Sequence, residues 1–249
     1  MSLEGRIALV TGGSRGIGRA TALALAEDGA DVAIHYNRDE AAAKETADAV
    51  RGLGRRAMTV AAAIQDNDGL AAMAEEVQGE LGAVGILVNN AGVASQGRSV
   101  LKTDAAELDK LMRIHALGPH ELCKLLLPGM REQERGDIVM VSSMATKYNA
   151  AGGGPYNMGK AAMEALAFTL AAEERRNGIR VNVVAPGLVE TEMGRRLMKA
   201  TAGVDDLRQN DGDKNRRSGP AVFFHKNAQY GECQYENKVL NGIGCLVGC

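Results

Sequence analysis

TGGSRGIG, Thr11 to Gly18, follows an apolar run and opens a segment of helix period, and what its spaced glycines can approach decides the fold. The run before it, RIALVT (6–11), reads as a strand. After it Ile17, Ala20, Thr21, Ala24 and Leu25 keep the spacing of one helix face, and Gly29 stands where a C-terminal cap belongs. DVAIHY (31–36) then reads as a second strand, which completes a βαβ unit. At such a junction backbone N–H groups and the helix dipole can meet a pyrophosphate, and only small residues permit that approach. A bare βα turn is the plainer alternative, but the placement between strand and helix points to a dinucleotide. The expected contact set is Gly12, Ser14, Arg15, Gly16, Ile17 and Gly18.

Working outward, RAMTVAA (56–62), GILVNN (85–90), DIVMVSS (137–143) and IRVNVVA (179–185) are further strand candidates. They are continuously apolar, as strands covered on both faces should be. Asp39 is a candidate N-cap for a helix that carries Ala43, Ala47, Val50 and Leu53 inward before Gly54. Longer helices are expected over about 104–133 and about 155–177. Repeated βα units with right-handed crossovers predict an α/β fold, a doubly wound parallel sheet of Rossmann type in a single domain. Residues 1–203 are expected to form the dinucleotide-binding and catalytic domain. Residues 204–249 read as an atypical C-terminal segment, either part of that domain or partly disordered. The tail from 205 holds three of the four cysteines and two of the three phenylalanines, and it shows no clear period except AVFF (221–224). That stretch suits an inner strand or the core of a short helix. Natural divergence and a reading-frame change both fit the altered composition.

A chain of 249 residues with 45% hydrophobic content can bury a sizeable core. Its formal net charge of −2 argues against a nucleic-acid partner, because phosphate-backbone affinity comes from clustered Lys and Arg. The N-terminus lacks the pattern of an export signal, and no apolar run approaches the roughly 18–20 residues that span a bilayer. A cytoplasmic location without membrane contact is therefore expected. Cys123, Cys233, Cys245 and Cys249 form no CxxC pair, so neither a metal site nor a disulfide framework is expected.

The choice of dinucleotide turns on the end of the second strand, where an acidic residue would bind the ribose 2′-hydroxyl of NAD and repel the 2′-phosphate of NADP. Tyr36, Asn37 and Arg38 stand there, and Arg15 adds a second guanidinium, the group best matched to a phosphate. NADP(H) is the expected cofactor; the alternative is that both arginines are solvated surface charges.

The glycine turn, NNAG (89–92), Ser143, YNMGK (156–160) and the Pro186–Gly187 pair together resemble the short-chain dehydrogenase/reductase family, most closely its 3-oxoacyl-acyl-carrier-protein reductase-like members. The resemblance runs from residue 5 to about 200. Tyr156 and Lys160, four apart at the start of a helix, share one face. An ammonium there is expected to lower a phenol pKa that starts near ~10, making an acid/base pair. The resemblance implies that Ser143 hydrogen-bonds the substrate carbonyl, that Tyr156 protonates the alkoxide and that Lys160 also binds the nicotinamide ribose. It further implies that Asn90, Ala91 and Gly92 lie beside the cofactor and that Pro186, Gly187, Val189 and Thr191 hold its carboxamide.

His115 occupies the place where the family usually has an Asn that holds a water linking the Lys to solvent. A neutral imidazole can hold such a water, whereas a protonated one would be disfavoured beside Lys160. His115 also lies on the apolar stripe of Leu108, Leu111 and Met112, so a core histidine is the alternative. Ala63 and Ile64 stand where the family commonly has an Asp-Val pair at the adenine, which implies a weaker adenine contact. The implied function is NADPH-dependent reduction of a ketone, such as a 3-oxoacyl thioester, to a secondary alcohol by a homo-oligomer, dimer or tetramer. The substrate is a small carbonyl or alcohol, free or carrier-protein-bound. Arg131, Arg135, Arg175 and Arg176 are candidates for carrier docking or ordinary helix-end cations. The competing readings are a dinucleotide-binding protein impaired by its altered tail and an NAD-dependent alcohol dehydrogenase.

Overall fold

The structure, a computed structural model, describes residues 2–202, 223–227 and 233–236. Six parallel strands form its centre: β1 (Ile7–Val10), β2 (Asp31–Tyr36), β3 (Ala57–Ala61), β4 (Ile86–Asn89), β5 (Gly136–Val141) and β6 (Ile179–Ala185). With two further strands, β7 (Phe223–Asn227) and β8 (Cys233–Glu236), the order is β3-β2-β1-β4-β5-β6-β7-β8. The reversal of direction beside β1 is the switch point of a doubly wound sheet, and ligand crevices open there at the carboxyl ends of the strands.

Side chains alternate across each strand, so both faces need cover. Leu9, Leu87, Ile138, Met140, Val181 and Val183 enter one core, and Ala8, Val10, Ile86, Val88, Val139, Val141 and Val184 the other. The first core is closed by α3 (Asn67–Glu80), α5 (Gly118–Arg131) and α7 (Gly154–Glu174). The second is closed by α1 (Gly16–Glu27) and α2 (Glu40–Gly52), through Ala22, Leu25, Ala43, Ala47 and Val50. Asp39 caps α2 by accepting from the Ala42 amide at 3.1 Å. Leu53 departs from the expectation of an inward residue: it follows the last residue of α2 and is 43% exposed, because the helix stops before a further turn could aim it at the sheet.

The long helix expected over 104–133 is built in three pieces. α4 (Ala105–Met112) runs into a π-turn at Arg113–Leu117 and continues as α5. A short helix, α6 (Ala145–Tyr148), follows β5, and α8 (Glu192–Ala202) follows β6. AVFF overlaps β7, which pairs antiparallel with β6, and β8 pairs antiparallel with β7. The expectations for the rest of the tail lie outside the described residues. No helix among the described residues is long and apolar enough to cross a membrane.

Candidate active site

The glycine turn is held from three strand ends. Thr11 Oγ1 donates to the Val88 carbonyl at 3.2 Å and accepts from the Asn90 and Ala91 amides at 2.9 and 3.0 Å. Asn90 Nδ2 returns two bonds, to the Thr11 and Gly12 carbonyls. His35, buried in β2, accepts from the Gly12 amide through Nδ1 at 3.0 Å and reaches the Ala62 carbonyl through Nε2, also at 3.0 Å. Burial lowers its pKa, opposed by the bond to Ala62, so the neutral ring that can accept from Gly12 is favoured.

Gly12 and Gly16 have φ of +63° and +55°, a region that penalises any side chain. A Cβ on Gly18 would lie 2.1 Å from the Gly12 carbonyl oxygen. α1 begins after an extended Arg15 with no capping side chain and no acidic residue in its first turn, which leaves its N-terminal dipole to an anion. A cradle closed to side chains, facing an uncapped helix, fits the pyrophosphate of a dinucleotide. Ser14 is buried in this turn and Ile17 packs beside the second core.

At the end of β2, Tyr36 is half-buried while Asn37 and Arg38 are exposed. Arg15 is already engaged: its Nη1 lies 2.8 Å from Glu192 of α8 and 3.9 Å from Asp39. Ala63 and Ile64 follow β3, where the Ile64 carbonyl would lie 2.3 Å from a Cβ on Gly118, so no side chain fits at the start of α5.

The second half of the site hangs between the end of β5 and the first turns of α7. The Ser143 hydroxyl faces the Tyr156 phenol and opposes the effect of burial on it, while its Oγ accepts from the Ala145 amide at 3.1 Å. Lys160 Nζ donates to the Val141 carbonyl at 2.6 Å and lies 6.0 Å from the centre of the Tyr156 ring. Burial brings the Lys160 ammonium down to about 7, opposed by Glu164. The phenol differs from the sequence expectation: burial pushes the Tyr156 pKa up, opposed by the Ser143 hydroxyl. The reason is local, since Lys160 spends its short bond on Val141 while the low-dielectric surroundings disfavour a phenolate.

His115 projects from the π-turn into this cluster. Its ring meets Tyr156 edge-on, with centroids 5.1 Å apart and planes at 80°. Nε2 bonds the Val93 carbonyl at 2.9 Å, which fixes the proton there in the neutral ring and leaves Nδ1 an acceptor. Nδ1 is buried without a partner among the described residues. Burial, and next the charge of Lys160, hold the His115 pKa down at about 3. Two glycines make the room: a Cβ on Gly92 would come within 2.8 Å of Cε1, and one on Gly159 within 3.0 Å of Cβ.

After β6, Pro186 is buried and its carbonyl accepts from the Met144 amide at 2.9 Å, which ties Gly187 and Val189 to the Ser143 segment. Thr191 reaches the glycine turn, with Cγ2 3.3 Å from where a Gly16 Cβ would stand. The two halves therefore share one crevice, and Ala63 and Ile64 are set apart at β3. Arg131 pairs with Glu174 and Arg135 with Asp137. Sequence reasoning overlooked Thr11, His35 and Glu164; a lone His in the apolar strand DVAIHY was the available signal for His35.

Residues 6–202 match the short chain dehydrogenase family. The chain is 36% identical over 195 residues to an uncharacterized oxidoreductase of Mycobacterium tuberculosis, a match covering 77% of this chain but 57% of that protein. It thus spans little more than half the length of the mycobacterial relative. It is 35% identical over 197 residues to a 3-oxoacyl-[acyl-carrier-protein] reductase of Vibrio cholerae, covering 79% of each chain. Among solved structures, a metagenomic short-chain oxidoreductase in complex with NADP superposes with a TM-score of 0.71 at 35% identity, over 75% of this chain and 84% of the other. An NAD+-bound xylitol dehydrogenase gives 0.77 at 28% identity, over 83% and 79%. The chain belongs to the short-chain dehydrogenase family of oxidoreductases, whose members bind a nicotinamide dinucleotide and a small-molecule substrate.

Proposed function

We propose that the chain reduces a ketone to a secondary alcohol with NADPH, and that short 3-oxoacyl thioesters are the substrates to test first. The observation that carries this reading is the convergence of Ser143, Tyr156 and Lys160 on the end of β5. When bound, the nicotinamide supplies the hydride that the carbonyl carbon accepts. Ser143 Oγ donates a hydrogen bond to the carbonyl oxygen, and Tyr156 Oη gives that oxygen its proton as negative charge develops. The raised phenol pKa keeps that proton in place beforehand. Lys160, poised near neutrality, hands a proton on to Tyr156 afterwards. His115 Nδ1, an acceptor without a partner among the described residues, holds the water that resupplies Lys160.

Arg15 and Arg38, with no carboxylate at position 36, support a 2′-phosphate on the adenosine ribose. Glu192 and Asp39 around Arg15 favour the second reading, an NAD-dependent alcohol dehydrogenase. A cytoplasmic homo-oligomer, dimer or tetramer, is the working form in this proposal.

The test is NADPH and NADH oxidation by the purified protein with a short 3-oxoacyl thioester and simple ketones, beside Tyr156→Phe. Turnover with NADPH that falls at least about a hundredfold in Tyr156→Phe supports the proposal, since a positioned acid contributes roughly 10²–10⁴. Preference for NADH would move the chain to the second reading. Tight NADPH binding without turnover of any carbonyl would leave a dinucleotide-binding protein.

A further inference from the structure

The face of α7 that begins with Tyr156 and Lys160 continues, one turn later, into Glu164. The residues around that position are apolar and buried, Met163, Ala167, Leu170 and Ala171 among them, and Glu164 itself is 8% exposed. A carboxylate in such surroundings is costly unless its oxygens are satisfied. Here they are. Oε1 accepts from Ser142 Oγ at 2.6 Å and from Thr146 Oγ1 at 2.8 Å, and Oε2 accepts from Lys147 Nζ at 3.0 Å.

Two α7 residues grip the segment that leaves β5 and a third faces it. Lys160 bonds the Val141 carbonyl and Glu164 bonds the Ser142 hydroxyl, while the Tyr156 phenol faces the Ser143 hydroxyl. Successive residues of one strand end, Val141 and Ser142, are thus held by positions four apart on one helix. Ser142 and Thr146, both fastened to Glu164, flank Ser143. We propose that Glu164 is a positioning residue for this site: it clamps the segment carrying Ser143 and supplies the counter-charge for the buried Lys160. The inference rests on the proton-transfer reading given above.

The titratable groups that meet here are Tyr156, Lys160 and Glu164 of α7, Lys147 of α6 and His115 of the π-turn. Burial pushes the Glu164 carboxyl up, but the bonds from Ser142, Lys147 and Thr146 outweigh it, so the group stays ionised below its ordinary pKa. Its charge in turn raises Lys160 against the effect of burial.

The experiment follows the Lys160 titration by NMR in full-length protein with labelled lysines, assigned with Lys160→Met, and measures kcat and KM against pH in parallel. In Glu164→Gln, which keeps the shape but not the charge, Lys160 should titrate about one pH unit lower than in the parent protein. The alkaline limb of kcat should move with it while KM stays put, and Glu164→Asp should restore most of the shift. An unmoved Lys160 in Glu164→Gln, or equal shifts in the Gln and Asp variants, would overturn the proposal. Should Glu164→Gln not fold, the exposed change Lys147→Met leaves the Glu164 charge undivided and should move Lys160 upward; no movement would overturn the proposal equally. The titration is read whether or not a ketone is turned over, so absent turnover in the parent protein would sink the reductase reading alone.

Discussion

At the residue scale His115 joins two alternatives that the sequence kept apart. It is fully buried, as a core histidine would be, and beside Lys160 it also presents an acceptor that has no partner among the described residues. A buried acceptor without a bond is unfavourable and calls for a water. His115→Leu removes that acceptor while keeping an apolar occupant, so kcat should fall roughly tenfold, about 1.4 kcal/mol of barrier, with the far-ultraviolet circular dichroism unchanged. Undiminished turnover would return the residue to a packing role. The family resemblance singled out Tyr156 and Lys160, and their spacing placed them on one face, but burial pushes the phenol pKa up where the ammonium was expected to lower it. Spacing says that two groups are near; it does not say how dry their surroundings are, nor that Lys160 is bonded to Val141. Glu164 escaped notice for the same reason, because its donors come from the β5 end and from α6.

At the scale of elements, the six parallel strands were legible because doubly covered strands are continuously apolar, and the ends observed lie within a residue or two of those runs. The π-turn at Arg113–Leu117 was not legible. RIHAL has ordinary helix formers, and the turn seats His115 against Gly92 and Gly159, from other parts of the chain that local periodicity does not report. β8 was also missed: CQYE alternates apolar and polar residues, but over four residues only, the shortest length at which alternation indicates a strand. Glycine requirements can be tested directly. Gly18→Ala would force a Cβ against the backbone oxygen of Gly12, with no flexible side chain to give way, so dinucleotide affinity should be lost and stability reduced by roughly 1–3 kcal/mol or more. Gly79→Ala in α3 meets nothing within 4 Å and should stabilise the fold by about 0.4–1 kcal/mol. Chemical denaturation and dinucleotide titration of the two variants check both signs; equal effects would sink the account of the turn.

For the whole molecule, the buried bases set how stability responds to acid. The folded pKa of His115, about 3, lies far below its ordinary 6.5, and that of His35 is lowered as well. Stability from both is therefore complete above about pH 6.5 and is lost as the pH falls from there towards the folded values. The slope is up to roughly 1.4 kcal/mol per pH unit for each group. Lys160, about 7 in the fold against 10.5, acts in the same direction between those values. Tm should climb from about pH 4 to about pH 7, and the climb should be shallower in His115→Leu; a flat profile in the parent protein would contradict this. The tie between Thr11 and the end of β4 has a consequence for how the chain is made. Thr11 and Val88 are 77 residues apart, so β1 emerges from the ribosome long before the strand that fastens its far edge. β2 can pair at once, but the other edge stays open until β4 has been synthesised, a long-range closure of the kind that slows folding. A nascent chain stopped short of Asn90 would contain every glycine of TGGSRGIG and still lack the bonds to Thr11 that hold the turn in shape.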